Sequence, residues 1–201
     1  MENCVFCDRS QFEERLCGKT KDFWIIATLG QITDGGYVLL VPKQHVECVG
    51  AMEEREAERL DILIDQTRGL LYREYKLPSV VFEHGIVGQT IKHAHIHIVS
   101  ANITISEKVH QDFPDCGRSV ITYLTALCNL YTKLQKPYLL LRESGFVSEI
   151  IWNPPAPLQY LRTVAAEALG RPERANWRNM DPKLDKKLWS ETVRRLKTYK
   201  F

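Results

Sequence analysis

The chain has 201 residues, of which 44% are hydrophobic and 26% charged, with a formal net charge of +2. This composition is ordinary for a globular protein, and so small a charge gives no overall field that would require nucleic acid or a membrane as partner. No apolar run is long enough to cross a bilayer, and the N-terminus lacks the basic and apolar stretches of a signal peptide, so we expect a cytoplasmic, reducing location.

The first half of the chain is predicted to be an antiparallel sheet crossed by one long helix. Strands are predicted at 23–28 and 37–41, joined by the turn Asp34-Gly35-Gly36, since Asp-Gly between two apolar runs is typical of a hairpin. The helix is predicted over 51–76. Its apolar stripe is Leu60, Leu63, Ile64, Leu70 and Leu71. Further strands are expected at 80–82 and 93–100.

The second half has a different pattern. Its predicted elements are a helix at 118–135, strands at 138–143 and 148–152, a stiff proline connector at 154–157, a helix at 158–169 and a last helix from Asp181 onward. The predicted fold class is therefore α+β. We expect one domain at 1–105 and a mixed α/β C-terminal extension at 106–201, made of a helix, two strands and two helices. The extension forms either a second small lobe or a layer on the first sheet.

Residues 88–99 read Gly-Gln-Thr-Ile-Lys-His-Ala-His-Ile-His-Ile-Val. His93, His95 and His97 alternate with apolar residues, which places the three imidazoles on one face of a strand. Adjacent imidazoles make a poor apolar core. They suit a metal site, an acid/base site or a nucleophilic site instead.

This segment resembles the histidine triad (HIT) motif, in which three histidines alternate with apolar residues. Residues 36–45, a strand that ends in Pro-Lys-Gln-His, resemble the second motif of the HIT family, and the resemblance covers about residues 4–101. It implies a HIT-like fold and attack on a nucleotide α-phosphate, with His95 as the nucleophile of a nucleotidyl-histidine intermediate and His97 holding the phosphate. It also implies phosphate contacts from Gly88, Gln89 and Thr90. HIT proteins often dimerise, so a homodimer is expected.

Cys4 and Cys7 form a C-x-x-C pair, which has the spacing of half a zinc site. The galactose-1-phosphate uridylyltransferase branch of the same fold has a similar arrangement. Carried over position by position, it implies a Zn²⁺ ion held by Cys4, Cys7, His45 and His93. A closed set of two cysteines and two histidines has no open position, so this zinc would be structural.

The third histidine of the motif favours a hydrolase, because the uridylyltransferase branch has glutamine where this chain has His97. The expected substrate is a dinucleoside polyphosphate, a nucleoside phosphoramidate or an adenylylated molecule. Two positions depart from the family. Tyr37 replaces a histidine, and Leu29 stands where an Asp or Asn holds the ribose. The base preference therefore stays open.

Two other functions remain open from the sequence. One is a nucleotidyl transferase, which resembles the uridylyltransferases or the dinucleoside polyphosphate phosphorylases. The other is a non-catalytic module that binds nucleotides or RNA, because residues 157–162 and 171–178 resemble the C-terminal segment of CwfJ-type proteins. Near the triad, Glu83 and His84 either face the site or form a surface pair at the strand end, and the surface pair is the favoured alternative. His110 is expected in a solvated loop.

Overall fold

A single antiparallel sheet of eight strands organises the computed structural model, which describes residues 4–201. The first three residues of the predicted first domain lie outside this range. The strands are β1 Leu16–Lys19, β2 Phe23–Ala27, β3 Tyr37–Pro42, β4 Ser79–Gly85, β5 Ile96–Ser100, β6 Arg118–Ile121, β7 Tyr138–Arg142 and β8 Ser148–Trp152. Their order across the sheet is β1-β2-β3-β5-β4-β7-β8-β6. The predicted α+β class, with an antiparallel sheet and one long helix, is confirmed.

Five α-helices accompany the sheet within the described part of the chain. They are α1 Glu54–Tyr75, α2 Ser106–Asp112, α3 Leu124–Leu134, α4 Tyr160–Ala168 and α5 Pro182–Leu196. The long helix α1 begins three residues later than predicted and ends where Lys76 takes a left-handed conformation. Between residues 4 and 201 no helix has both the length and the apolar content needed to cross a membrane.

Both faces of the sheet are covered, and the histidine strand shows how they differ. Ile96 and Ile98 belong to the apolar cluster that contains the buried stripe of α1. Val99 belongs to the opposite cluster, with residues of α4 and with Phe6 from the N-terminal segment. The imidazole of His97 is on this second side, stacked on Phe82 at 4.6 Å between ring centres. The predicted alternation of the strand is therefore confirmed.

The second half of the chain adds the strands β7, β8 and β6 to the edge of the first sheet, an arrangement that differs from both a separate lobe and a layer on its face. Strand β7 pairs with β4, where Phe82 stands opposite Leu141. Arg142 on β7 is buried and donates to Asp61 of α1 at 2.8 Å, which fastens the added strands to the long helix.

Two predicted boundaries are corrected, and two elements were missed. Residues 118–121 form the edge strand β6, and α3 begins only at Leu124, so the predicted helix at 118–135 is wrong in its first part. Strand β1 and helix α2 were not predicted. The regular ladder of the histidine strand begins at Ile96, because the register that sets Leu40 opposite Ile96 brings Pro42 opposite Ala94, and proline has no N–H to donate.

Candidate functional site

A cavity of about 720 Å³ lies on the histidine side of the sheet. Residues from both halves of the chain line it. They include Cys4, Phe6, Arg15, Leu29, His45, Glu47, His84, Gly88, Gln89, Thr90, Lys92, His95, His97, Gln159, Arg162, Trp177 and Arg178. The cavity therefore contains the predicted catalytic and phosphate-contacting residues together with residues of the extension.

His95 is held with one ring nitrogen free. Its Nδ1 lies 2.7 Å from the backbone carbonyl oxygen of His93. A carbonyl only accepts hydrogen bonds, so the proton is on Nδ1 and the lone pair is on Nε2. Burial lowers the pKa of His95 to about 4, which keeps the imidazole neutral near pH 7. A neutral imidazole with a free Nε2 lone pair beside a cavity is a competent nucleophile.

His97 has the opposite tautomer, which Tyr37 sets. The Tyr37 hydroxyl is fully buried and lies 2.6 Å from His97 Nδ1. A buried hydroxyl proton needs an acceptor, and among the described residues His97 Nδ1 is the hydrogen-bond partner of this hydroxyl, so the Tyr37 hydroxyl donates and the imidazole proton is on Nε2. His97 Nε2 is buried with no partner in the described residues. It is an N–H ready to donate to a ligand, and burial holds the pKa of His97 well below its usual value.

The loop before the triad reaches the cavity wall at Gly88, Gln89 and Thr90. Gly88 has φ +74°, and a Cβ there would lie 2.9 Å from both the His84 ring and the Pro157 carbonyl oxygen. Only glycine fits this position without strain. The Gln89 amide donates to the Glu47 carbonyl at 2.8 Å, which fixes that side chain at the rim.

Four side chains beside the cavity form a cluster that could hold a metal ion. The ligand atoms of Cys4, Cys7, His45 and His93 all lie within 4.8 Å of one another. His93 Nδ1 lies 3.4 Å from Cys4 Sγ and 3.6 Å from Cys7 Sγ, and His45 Nδ1 lies 3.3 Å from Cys7 Sγ. His93 Nε2 donates to the Pro42 carbonyl at 2.9 Å, so its Nδ1 lone pair faces the two thiols.

These spacings fit a tetrahedral metal site. Tetrahedral zinc, with Zn–S of about 2.3 Å and Zn–N of about 2.0–2.1 Å, places sulfur and nitrogen ligands about 3.5 Å apart. The buried ring of Phe6, which lies between Cys4 and Cys7 in the sequence, packs against His93 and His95 at 5.7 and 5.2 Å between ring centres. Whatever holds the two cysteines in place therefore also holds Phe6 against the candidate nucleophile.

The expected surface pair before the triad is wrong, because Glu83 and His84 are buried on opposite faces of β4. Glu83 accepts from the Val49 amide at 2.8 Å and the Tyr138 hydroxyl at 2.6 Å. His84 lines the cavity, and its Nε2 accepts from the Leu161 amide at 3.1 Å. His110 is on helix α2 rather than in a loop, and it contacts Glu149 at 2.7 Å.

Among residues 4–201, no carboxylate lines the cavity beside Leu29, and the nearby Asp185, which accepts from the Gly30 amide at 2.9 Å, lies outside its lining. Leu29 lines the cavity with Trp177, whose ring is covered by the Arg178 guanidinium at 4.4 Å. Asp34, the nearest acidic residue in the sequence, is paired with Arg171 at 2.6 Å and does not line the cavity. A ribose in this position would have to be recognised without the carboxylate that the HIT motif carries.

Arg162 belongs to a group of arginines near Trp177 that the sequence suggests either as a surface for phosphates and bases or as solvated and paired side chains. It lies on α4, is 4% exposed, and places its guanidinium carbon 5.5 Å from the centre of the Tyr37 ring. The sequence places it in an arginine-rich segment, but its contact with residues more than a hundred positions earlier depends on the tertiary fold. Trp189 packs in the core, whereas Trp177 is half-buried at the cavity.

Similar folds occur among solved structures. A protein from Streptococcus mutans is 25% identical, with a TM-score of 0.46 over 50% of this chain and 67% of that one. A HIT family protein from Bacillus anthracis is 21% identical, with a TM-score of 0.44 over 50% of this chain and 74% of that one. A histidine triad nucleotide-binding protein from Sulfolobus tokodaii is 22% identical, with a TM-score of 0.44 over 49% of this chain and 68% of that one.

No protein-family model and no curated protein matches the sequence. Each structural likeness is distant and covers about half of the chain. The residues of the cavity themselves therefore have to carry any functional assignment.

Proposed function

We propose that the protein is a nucleotide hydrolase that cleaves an α-phosphate bond through His95. The observation that carries the proposal is the free Nε2 of a buried, neutral His95, fixed by the bond from Nδ1 to the His93 carbonyl at 2.7 Å. His97 Nε2–H is a second group aimed at the same space, and it suits the charge that develops on phosphoryl oxygens.

The reaction would proceed in two steps. His95 Nε2 attacks the α-phosphorus, the bond from phosphorus to the leaving group breaks, and its electron pair leaves with that group, which takes up a proton. The His93 carbonyl stabilises the positive imidazole ring of the intermediate by accepting from Nδ1–H. Water then attacks the phosphorus, the P–N bond breaks, and its electrons return to Nε2. The products are a nucleoside monophosphate, the protonated leaving group and free enzyme.

The substrate would be a nucleotide with its phosphate near the triad and the loop from Gly88 to Thr90. The Thr90 hydroxyl and the Gln89 amide at the rim are groups that bind phosphate oxygens. The half-buried Trp177 gives a flat surface for a base, and base stacking on aromatic rings tolerates any base. This arrangement supports a nucleotide as ligand and leaves the base unspecified.

The metal of the Cys4, Cys7, His45 and His93 cluster would be zinc. Two thiolates and two imidazoles are ligands that zinc favours, and with all four positions filled by protein the ion would be structural. Its contribution would be to hold the N-terminal segment and its Phe6 ring against His95. The chemistry of the proposed reaction is carried by the side chains of the cavity.

The nucleophile is tested by incubating the full chain with a panel of labelled nucleotides and analysing acid-quenched samples for a covalent histidine adduct. We expect an adduct on His95 that is released in water as the monophosphate, and none in His95→Ala. His110→Ala, which removes an imidazole outside the cavity, is the matched control and should behave like wild type. An adduct stable in water but discharged to a phosphorylated acceptor would indicate a transferase. No adduct with any nucleotide would refute catalysis and leave a binding module.

The metal is tested by elemental analysis of the purified chain. We expect one zinc per chain, lost in Cys4→Ala and retained in Cys116→Ala, which removes another partly buried free thiol. Since ligand loss also loosens Phe6, Cys4→Ala should lower the thermal midpoint and slow adduct formation. Metal-free wild type with full activity would contradict the proposal.

A further inference from the structure

Arg162 is a buried cation whose position is fixed by neutral groups. Its Nε donates to the Ala175 carbonyl at 2.6 Å, and its Nη2 donates to the carbonyls of Gly30 and, at 2.9 Å, Arg174. The three carbonyls come from the β2–β3 connection and from the segment after α4. The guanidinium is therefore immobilised without being neutralised.

The charge of Arg162 has no counter-ion among residues 4–201, since its hydrogen bonds there all end on carbonyl oxygens. Arg15, on the same cavity, is held in a similar way by the carbonyls of Ala27 and Gln11, whereas two other arginines are paired with carboxylates. Arg142 pairs with Asp61 at 2.8 Å, and Arg171 pairs with Asp34 at 2.6 Å. A buried charge without a partner is strongly unfavourable, so a negative ligand at this point would be correspondingly stabilised.

The cavity is where such a ligand can reach Arg162. Arg162 lines the same cavity as His95 and His97 and lies over the Tyr37 ring. The adjacent His97 Nε2 is buried and has no partner. An unneutralised guanidinium and an unpaired N–H are thus exposed to one space, and a phosphate oxygen can satisfy both.

The charged side chains of the cavity wall are mostly positive, like Arg162. Apart from histidines and the Cys4 thiol, its ionisable side chains in the described part of the chain are Arg15, Lys92, Arg162 and Arg178, with Glu47 as the one carboxylate. Clefts lined by one sign of charge concentrate ligands of the opposite sign. A ligand with several phosphate charges suits this wall better than a singly charged one.

We propose that Arg162 contacts the phosphate of the substrate, so that the C-terminal half of the chain supplies the fixed positive charge of the site. The inference rests on the proposed function for the identity of the anion. In the reaction, the guanidinium would bind the phosphoryl oxygens as negative charge moves onto them and onto the leaving group. Arg162 is then a substrate-binding residue outside the triad strand.

The test compares AMP with adenosine, two probes that differ only by the phosphate, in calorimetric titrations of the full chain. We expect Arg162→Met to weaken AMP binding by about 10- to 100-fold and to leave adenosine binding unchanged. Arg162→Lys should weaken AMP binding less than Arg162→Met, because lysine keeps the positive charge. Arg171→Met is the matched control, since it removes a cation of the same segment outside the cavity, and it should bind AMP like wild type. Equal AMP affinity in Arg162→Met would overturn the inference.

Arg162 also donates hydrogen bonds to three backbone carbonyls, so its variants could fail to fold. A measurement on the wild-type protein is therefore needed as well. In protein with ¹⁵N-labelled arginine, the Nε–H signal of Arg162 should shift on addition of AMP and stay in place with adenosine. An unmoved signal at saturating AMP would also overturn the inference. The proposed function is tested apart from this: an equal rate of His95 adduct formation in folded Arg162→Met refutes the inference alone. Arg162-dependent AMP binding without any adduct supports the inference and refutes hydrolysis.

Discussion

Replacing Tyr37 with phenylalanine would remove the only group that sets the tautomer of His97. The hydroxyl donates to His97 Nδ1 at 2.6 Å and is completely buried, so no water can take its place without rearrangement. The ring would stay, because Phe keeps the contacts of Tyr37 with its strand neighbours. The perturbation is therefore the loss of one hydrogen bond at the edge of the cavity.

The loss of stability in Tyr37→Phe is estimated from the cost of leaving the buried His97 Nδ1 without a hydrogen-bond partner. A buried nitrogen that loses its partner costs about 1–3 kcal/mol, and the free energy of unfolding should fall by this amount. His97 would no longer be held with its proton on Nε2. If the transition state loses the same ~1–3 kcal/mol of stabilisation from the contact between His97 Nε2–H and the phosphate, adduct formation on His95 should slow by about 5- to 150-fold.

Two measurements check the reasoning. Quenched-flow analysis should show slower adduct formation in Tyr37→Phe, and ¹⁵N spectra of wild type should show His97 protonated on Nε2. Tyr160→Phe is the matched control. It deletes a hydroxyl that donates to Asp112 at 2.7 Å, away from the cavity, and should lower stability without slowing the reaction. A wild-type His97 protonated on Nδ1, or an unchanged rate in Tyr37→Phe, would refute the assignment.

Three further changes have definite expected outcomes. Burial raises the pKa of Glu83 to about 7 from an ordinary 4.5, so the folded state binds this proton more tightly and stability falls as pH rises from about 4.5 through 7. The buried histidines have lowered pKa values and act in the opposite direction over the same range, so the Glu83 contribution is the difference between two chains: from pH 5.5 to 8, wild type should lose about 2 kcal/mol of unfolding free energy relative to Glu83→Gln in urea titrations. Asp61→Ala leaves the buried charge of Arg142 without its ion-pair partner, and it should lower the free energy of unfolding by about 3–5 kcal/mol in the same assay. Gly88→Ala should lower stability and slow adduct formation, because its φ of +74° and its contacts leave no room for a Cβ.

Two of these changes, Asp61→Ala and Gly88→Ala, have a matched control in the chain. Asp65 lies 3.8 Å from the Arg142 guanidinium and is 38% exposed, so Asp65→Ala should cost less than about 1 kcal/mol. Gly145→Ala has a similar positive φ of +61° but nothing within 4 Å of the added carbon, so it should destabilise without changing the reaction. An equal pH slope in wild type and Glu83→Gln, or equal costs for Asp61→Ala and Asp65→Ala, would contradict the assignments.

The elements with strong local patterns could be predicted from the sequence. A continuous apolar run that ends at Pro42 predicts β3, alternation predicts the histidine strand, and an apolar stripe predicts α1, while α4 and α5 lie close to their predicted positions. The edge strand β6 was assigned to a helix because only Ile121 in it is fully buried, so its alternation is faint. The strand β6 forms because it pairs with β8, where Val120 stands opposite Glu149. A short stretch of sequence gives no information about such long-range pairing.

The candidate site, like the fold, could be predicted from the sequence only in part. Local motifs identified the positions that the structure brings together around the cavity, from Cys4 to His97. They could not show which nitrogen of each imidazole is free, because that depends on the His93 carbonyl for His95 and on Tyr37 for His97. They also could not connect Arg162 with Gly30, a contact across 132 residues.

The second half of the chain acts on the triad through the connection between β2 and β3. The Asp185 carboxylate of α5 accepts from the amides of Gly30 and Gln31 at 2.9 and 3.0 Å, and Arg162 binds the Gly30 carbonyl. Gln31 in turn donates to the Tyr37 carbonyl at 2.8 Å and so fixes the start of β3. Because Tyr37 sets the proton of His97, the extension acts on the His97 ring through this loop and through Arg162, which lies over the Tyr37 ring. The chemistry of the histidine strand therefore depends on residues that no local motif contains.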